Sequence, residues 1–127
     1  MPLVKIEIIE GKTEAYKTAI FEGIHEALVK AFMIPDDDRI QRLYEISKKN
    51  FDVSSEEFTL IEITVFEGRS IDAKRLLYSC IVDNLSQNPG ISSKNILIVL
   101  HEVPLVNWGI SGGRPASEVD LGFKVDI

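Results

Sequence analysis

The feature that most constrains this chain is an internal repeat, because a segment that recurs along a sequence folds into the same unit each time. Residues 6–17, IEIIEGKTEAYK, align without a gap with residues 63–74, ITVFEGRSIDAK, and aligned positions differ by 57. The same offset continues into apolar positions at helical spacing, where it pairs Ile24 with Ile81. The sequence therefore predicts two copies of one structural unit, over residues 1–57 and 58–127.

Each copy has the pattern of a strand followed by a helix. Two apolar runs rich in β-branched residues, 4–9 and 59–66, have the length and composition of strands. A glycine turn follows each run, and after it Thr13 or Ser70 supplies a hydroxyl that can cap a helix. Apolar residues then recur every three or four positions, which predicts two amphipathic helices that end at Pro35 and Pro89.

A second strand is expected after each helix, over 43–47 and 96–102, and the first of these follows a predicted polar helical turn over 36–41. Alternating apolar residues then predict a last edge strand: Leu121, Phe123, Val125 and Ile127. Two right-handed strand–helix–strand units that share one sheet place both helices on the same face. The predicted fold is an α/β two-layer sandwich of the α+β kind, formed as one domain over residues 1–127.

The uncovered face of that sheet indicates association of subunits. Seven apolar residues on the predicted strands are more than one sheet face can hold: Ile6, Ile8, Ile61, Ile63, Val65, Leu97 and Val99. Exposed apolar surface of this extent marks a contact with another subunit. We therefore expect a homo-oligomer whose sheets are turned towards one another.

Charge and rare residues exclude several classes of partner. With a net charge of −6, the chain lacks the Lys/Arg surface that nucleic acid requires, and no apolar stretch approaches the length of a membrane span. Cys80 is the single cysteine, and His25 and His101 fall on different elements, so neither a disulfide nor a metal site is expected. We expect a cytoplasmic protein in which Cys80 is buried, His25 faces solvent and His101 ends a strand.

Several short motifs resemble those of the oxalocrotonate tautomerase superfamily. The chain opens with Met1-Pro2 directly before a strand, and both copies carry Glu-Gly-(Lys/Arg)-(Thr/Ser) before the helix. The segments Ile34-Pro35-x-x-Asp38-Arg39-x-Gln41 and Gly68-Arg69-Ser70 are similar to those of the malonate semialdehyde decarboxylase branch and its tautomerase-like relatives. The resemblance covers nearly the whole chain.

This resemblance implies a fold, an assembly and a chemistry. The fold is the tautomerase/MIF-like fold, and its members form trimers, or hexamers of short chains, so a homotrimer is expected here. Members lose the initiator methionine and use the freed proline as a general base or acid on small anionic keto, enol and unsaturated acids, without a metal or a cofactor. We therefore expect a cofactor-independent tautomerase, an isomerase. A decarboxylase or hydratase of a three-carbon acid, and a non-catalytic oligomeric module that binds small molecules, remain the alternatives.

The chemistry of Pro2 follows from its nitrogen. A free α-amine has a pKa of about 8, and burial in an apolar site lowers the pKa of a cation towards the pH at which a base is most useful. Pro2 is therefore the expected catalytic base. The alternative is a proline that merely begins an edge strand. If Met1 is retained, the Pro2 nitrogen belongs to an amide and cannot titrate.

Arg69 and Asp38 are the other expected catalytic residues. Arg69 follows a main strand at a glycine turn, where its planar guanidinium can bind a carboxylate through two hydrogen bonds. Asp38 matches the aspartate with which the family orients water or the proline. The alternative for Arg69 is a solvated cation in a turn. The alternative for Asp38 is that it is one of three solvated helix-capping acids at 36–38. In the decarboxylase, two arginines separated by one residue bind the substrate. Glu67 stands at the position that matches the first of them, and this difference favours proton transfer over decarboxylation.

Three further residues are expected to bind substrate. Trp108 can form an apolar wall with its indole N–H directed at the substrate, or it can belong to the core or a subunit contact. Arg114, on a glycine-rich segment, can reach a site across a subunit boundary, although it can equally be a solvated loop residue. Tyr44 is a weaker candidate for a proton donor. The G-x-S-x-G pattern at 109–113 is not a hydrolase nucleophile elbow, because Pro115 prevents the helix that must follow it.

Overall fold

The computed structural model describes residues 2–127 and contains the predicted pair of strand–helix–strand units. Four strands form one sheet in the order β2-β1-β3-β4: β1 Leu3–Ile9, β2 Gln41–Ile46, β3 Thr59–Phe66 and β4 Ile96–Val103. Helix α1, Glu14–Phe32, connects β1 to β2, and helix α2, Ile71–Gln87, connects β3 to β4. Strands are parallel within each unit, and β1 pairs with β3 in antiparallel orientation. The predicted two-layer α+β sandwich is confirmed.

The repeat extends to the hydrogen bonds that begin each helix. Thr13 Oγ1 accepts a hydrogen bond from Tyr16 N at 3.1 Å, and Ser70 Oγ accepts one from Ala73 N at 3.1 Å. These hydroxyls cap N–H groups that lack a partner inside the helix. The glycine of each preceding turn has a positive φ, +108° at Gly11 and +129° in the second copy, a conformation that side chains other than glycine rarely adopt.

The repeat also includes an ion pair between each helix and the second strand of its unit. Lys17 Nζ lies 2.7 Å from Glu45 Oε1, and Lys74 Nζ lies 2.6 Å from Glu102 Oε1. After those strands, both copies form a short 3₁₀ helix at corresponding positions, 48–50 and 105–107. The two units therefore correspond well beyond the segments that the sequence alignment matched.

The core lies between the helices and one face of the sheet. Along β1, residues Val4, Ile6 and Ile8 are buried, whereas Lys5 and Glu7 point to the other face. Of the seven apolar strand residues that the sequence indicated, five lie on this buried face: Ile6, Ile8, Ile61, Ile63 and Val65. The other two, Leu97 and Val99, are exposed on the open face, where they form an apolar edge at β4 beside charged residues.

His25 differs from expectation, while Cys80 does not. His25 is only 4% exposed, and its Nε2 lies 3.3 Å from Asp36 Oδ1. The prediction that it faces solvent is wrong because the loop after α1 folds back over the helix and covers this position. Cys80 is buried on α2, as predicted.

Two predicted elements are absent from residues 2–127 of the structure. No helical turn forms over 36–41: a short turn lies at 36–37, and β2 begins at Gln41. The expected last strand does not form over 121–127 either. Gly122 there has φ +78°, and the apolar side chains of Leu121, Phe123 and Val125 pack against Phe66 and its neighbours instead of continuing the sheet. A short hairpin of β5 Gly109–Ile110 and β6 Arg114–Pro115 precedes this segment.

Candidate active site

The topology brings Pro2, Asp38 and Arg69 to one edge of the sheet. β1 and β2 begin at this edge and β3 ends there, because β1 is parallel to β2 and antiparallel to β3. Leu3 lies opposite Thr64, and Val4 N donates a hydrogen bond to Ile40 O at 3.0 Å. Pro2 immediately precedes these pairs and is itself buried. The loop with Asp38 and the turn with Arg69 therefore flank the start of β1.

Three side-chain contacts hold the loop that carries Asp38 against helix α1. Besides the contact between His25 and Asp36, Arg39 Nη2 donates to Glu22 Oε1 at 2.9 Å, and Gln41 Nε2 donates to Phe21 O at 2.8 Å. Within the loop, Asp38 N donates to Pro35 O at 3.0 Å. Arg39 thus forms a surface ion pair with Glu22, and these contacts hold the loop with Asp38 in place beside β1.

Arg69 is a buried cation rather than a solvated turn residue. Its side chain is 7% exposed, its Nη1 donates to Phe66 O at 2.9 Å, and its guanidinium carbon lies 4.7 Å from the centroid of the Phe32 ring. Burial lowers the pKa of the guanidinium, and the carboxylates of Glu102 and Asp38 oppose that shift. Nε of Arg69 is buried and has no hydrogen-bond partner within residues 2–127. A desolvated guanidinium with an unused donor has the chemistry that binds a carboxylate.

Two clefts open at this edge. One, of about 270 Å³, is lined by Asp38 and by a set of mostly apolar residues: Pro35, Phe66, Ile110, Ser111, Val119, Asp120, Leu121 and Phe123. The other, of about 780 Å³, is lined by Arg69 and its surroundings: Glu67, Gly68, Lys74, Glu102, Pro104, Leu105, Val106, Val125 and Asp126. Residues 119–127 contribute to the lining of both clefts.

A groove of about 450 Å³ between the two helices lies on the opposite layer. Its lining combines small residues with Glu22, Glu26 and amides, and it includes neither Lys nor Arg. Without a cation it offers a substrate carboxylate no charged partner, so the candidate site is the sheet edge.

Trp108 belongs to the apolar wall of the edge. It is buried, its ring packs edge-on against Phe66 with 4.7 Å between centroids, and its Nε1 donates to Val103 O at 3.1 Å. The indole N–H is therefore engaged with the backbone instead of pointing at a substrate. Trp108 therefore packs behind Phe66, and its role in substrate binding stays a prediction.

Arg114 lies beside this edge, whereas Tyr44 lies farther from it within one chain. Arg114 is exposed, and its Nε donates to Ser111 O at 3.4 Å, which holds it beside the Asp38 cleft. Tyr44 is 47% exposed on the open sheet face opposite Glu7, five strand residues or roughly 16 Å from the level of Pro2. Their roles in substrate binding stay predictions, and Tyr44 requires a neighbouring subunit to take part.

The sequence reasoning missed Phe66, Phe32 and the 119–127 segment. One signal was available for Phe66: an aromatic residue stands there where the first copy has Ile9. The aromatic contact of Phe32 with Arg69 is non-local, and no sequence pattern predicts it. The segment's alternating apolar residues indicated a strand, although the same residues line the clefts.

Among residues 2–127, no group of three His, Cys, Asp or Glu side chains is arranged to hold a metal ion. In the same part of the chain, no helix is both long enough and apolar enough to cross a membrane.

Comparison with known proteins gives consistent matches. Two sequence models of tautomerase enzymes match the chain, one over residues 38–111 and the other over residues 2–59. The "Probable tautomerase YusQ" of Bacillus subtilis (strain 168) is 25% identical over 122 residues, which are 90% of this chain and 96% of that protein. The 2-hydroxymuconate tautomerase of Pseudomonas putida is 37% identical over 54 residues, which are 42% of this chain and 86% of that protein.

Solved structures share the fold. A crystal structure of malonate semialdehyde decarboxylase superposes with a TM-score of 0.82 at 24% identity, covering 89% of this chain and 93% of that one. A fused 4-OT protein, solved as a symmetric trimer, superposes with a TM-score of 0.81 at 24% identity, covering 91% of this chain and 96% of that one.

Proposed function

The chain belongs to the tautomerase enzyme family, and from this premise we propose that it transfers a proton within a small keto or enol acid, with the Pro2 nitrogen as general base. The observation that carries the proposal is Arg69, a buried guanidinium with an unused donor at the sheet edge where Pro2 immediately precedes β1. A substrate whose carboxylate pairs with Arg69 would have its reactive carbons at the sheet edge that also holds Pro2. Asp38, on the other side of β1, completes the proposed catalytic set.

The proposed reaction requires an unprotonated amine. The Pro2 nitrogen accepts the proton of an enol hydroxyl, the oxygen forms a C=O bond, and the carbon at the far end of the former double bond takes a proton from the Pro2 ammonium. The O–H and C=C bonds are replaced by C–H and C=O bonds, and the amine is regenerated. Burial of Pro2 disfavours the ammonium form and so supports a base that functions near neutral pH.

The alternative within the family is decarboxylation or hydration of a three-carbon acid. The Arg69 cleft argues against it, because Glu67 lines this cleft at the position where the decarboxylase resemblance requires a second arginine. A carboxylate there stabilises a second developing anion poorly. Proton transfer, in which one carboxylate stays bound throughout, requires only the single guanidinium.

We also propose that this chain forms a homotrimer, since Leu97 and Val99 leave an apolar edge on the open sheet face. Light scattering that shows a stable monomer at micromolar concentration would contradict this assembly.

We further propose one domain over residues 1–127, because a single core cluster includes residues of both units. A cytoplasmic enzyme without a cofactor fits a reaction that moves only protons and a chain with one buried thiol.

The test compares wild type with Pro2→Ala on phenylenolpyruvate, after intact mass confirms that Met1, which lies outside the described residues, is absent from both proteins. Pro2→Ala retains a primary amine, so we expect kcat/KM to fall by about 10²-fold or more with a residual rate. A chain extended by one residue before Pro2 converts its nitrogen to an amide and serves as the matched control, with turnover at the buffer rate. Equal activity of the extended chain and the wild type would show that Pro2 is not the base.

A further inference from the structure

We propose that the 119–127 segment selects the substrate: it favours enol monocarboxylates with an apolar substituent over dicarboxylates. This inference rests on the proposed function and adds to it the class of substrate. Its basis is a difference between the two repeat units at the catalytic edge: the second unit continues into this segment, and the first has no equivalent of it.

The two units diverge after their matching 3₁₀ helices. In the first copy the chain passes from 48–50 through a short connection into β3, whereas the second copy continues into residues 109–127. This additional chain folds onto the edge that holds Pro2 and Arg69. At the repeat-related edge, where β3 and β4 begin, residues 2–127 provide only the shorter connection between β2 and β3, and its residues line a cleft of about 550 Å³ together with Ile9. The asymmetry therefore coincides with the proposed catalytic edge.

Three contacts fix the 119–127 segment against the turn that carries Arg69. Ser70 Oγ donates a hydrogen bond to Ile127 O at 2.8 Å. Val125 O lies 3.0 Å from the position that a Cβ on Gly68 would occupy, so the two backbones are in close contact. Phe123 stacks on Phe66 with 6.4 Å between centroids and 28° between ring planes. The segment is thus a packed wall of the site rather than a loose end.

The chemistry of this wall is apolar on the side of Asp38. Leu121 and Phe123 line the cleft together with Phe66 and Ile110. These side chains offer dispersion contacts and exclude water, which favours a hydrocarbon or aromatic substituent on the carbon that exchanges the proton. A cleft of about 270 Å³ has room for such a group.

The charges of the two clefts disfavour a second carboxylate. Arg69 and Lys74 are the cations that line them, and Lys74 is already paired with Glu102 at 2.6 Å. The exposed Arg114 lies beside the Asp38 cleft, where its Nε donates to Ser111 O, but it lines neither cleft. The remaining charged residues on the linings are acids: Glu67, Asp126, Asp38 and Asp120. One substrate carboxylate can pair with Arg69, whereas the distal carboxylate of a dicarboxylate meets like charge.

The experiment measures ketonisation of three enols by the full chain: phenylenolpyruvate, enolpyruvate and the dicarboxylate 2-hydroxymuconate. The variants are Phe123→Ala and Leu121→Ala, with Leu76→Ala, an exposed leucine on α2 outside both clefts, as the matched control. We expect wild type to prefer phenylenolpyruvate to 2-hydroxymuconate by about tenfold or more in kcat/KM. Phe123→Ala and Leu121→Ala should raise KM for phenylenolpyruvate by about tenfold, with kcat nearly unchanged and enolpyruvate unaffected. Leu76→Ala should behave as wild type.

A preference for the dicarboxylate, or an equal loss on phenylenolpyruvate and enolpyruvate in both variants, would overturn the inference and leave the proposed function intact. Absence of turnover on every enol would refute both together. Competitive inhibition by phenylpropionate and by adipate gives a second readout that is independent of turnover. Phe123→Ala and Leu121→Ala should weaken inhibition by phenylpropionate selectively, and circular dichroism should confirm that both variants are folded.

Discussion

Replacement of Arg69 tests how the buried guanidinium contributes to activity. Its Nη1 is occupied by Phe66 O and its Nε is buried, so Nη2 is the donor that remains for a substrate carboxylate. A hydrogen bond to a charged group contributes about 1.5 to 3 kcal/mol. Arg69→Ala should therefore lower kcat/KM for an anionic enol by roughly 10- to 150-fold, since each 1.4 kcal/mol is a factor of ten.

Arg69→Ala should also lower stability. It removes the contact with the Phe32 ring and the bond to Phe66 O, worth about 2 to 5 kcal/mol together. It also removes a buried charge whose lowered pKa shows that the site penalises the cation, and this partly offsets the loss. The free energy of unfolding, measured by urea denaturation, should fall by about 1 to 3 kcal/mol.

Two comparison variants make the result specific. Arg69→Lys keeps the charge but loses the planar pair of donors, so its kcat/KM should lie between those of wild type and Arg69→Ala. Arg75→Ala removes an exposed arginine of α2 that pairs with Asp72 at 2.9 Å, and its kinetics should match wild type. If Arg69→Ala retains wild-type kcat/KM on an anionic enol, the guanidinium does not bind substrate and the reasoning fails.

The repeat supplies matched variants for two further predictions. Gly11→Ala and Gly68→Ala should each lower stability by about 1 to 2 kcal/mol, because both glycines have a positive φ. Gly68→Ala alone should also reduce kcat/KM, because its Cβ meets Val125 O. Equal kcat/KM values in the two variants would contradict this contact. Lys17 lowers the pKa of the Glu45 carboxyl, so this pair stabilises the fold above the ordinary carboxyl range and loses that effect as the pH falls through the lowered pKa. The Tm values of wild type and Lys17→Met should therefore differ at pH 7 and converge below about pH 4.

The parts of the fold that local pattern determines were predictable from the sequence. β1 and β3 are β-branched runs bounded by glycine turns, and the hydroxyls of Thr13 and Ser70 cap the helices where predicted. Register and repeat then place the turn of Arg69 beside the start of β1. Residues 121–127 show the limit of this reasoning, because alternation gives the same pattern in a strand and in a segment that packs its apolar side chains onto Phe66.

The burial of individual site residues was not predictable, because it depends on contacts between distant parts of the chain. Arg69 is covered through Phe32, at the far end of α1, and His25 is covered by the loop that carries Asp36. The indole of Trp108 donates to Val103 O, five residues earlier, through the conformation of the 3₁₀ turn between them. Each contact is decided by how the two units pack, which periodicity within one unit does not specify.

The most direct test of the central claim is the ionisation of Pro2 itself. With ¹⁵N-labelled proline and Met1 removed, nuclear magnetic resonance gives the pKa of the Pro2 amine, and kcat/KM on phenylenolpyruvate is measured over the same pH range. The account predicts a pKa below the ordinary value of about 8 and an activity that rises with pH through that same pKa, because the base must be unprotonated. An activity that falls as the amine loses its proton, as expected for hydration by a cationic Pro2, would contradict it.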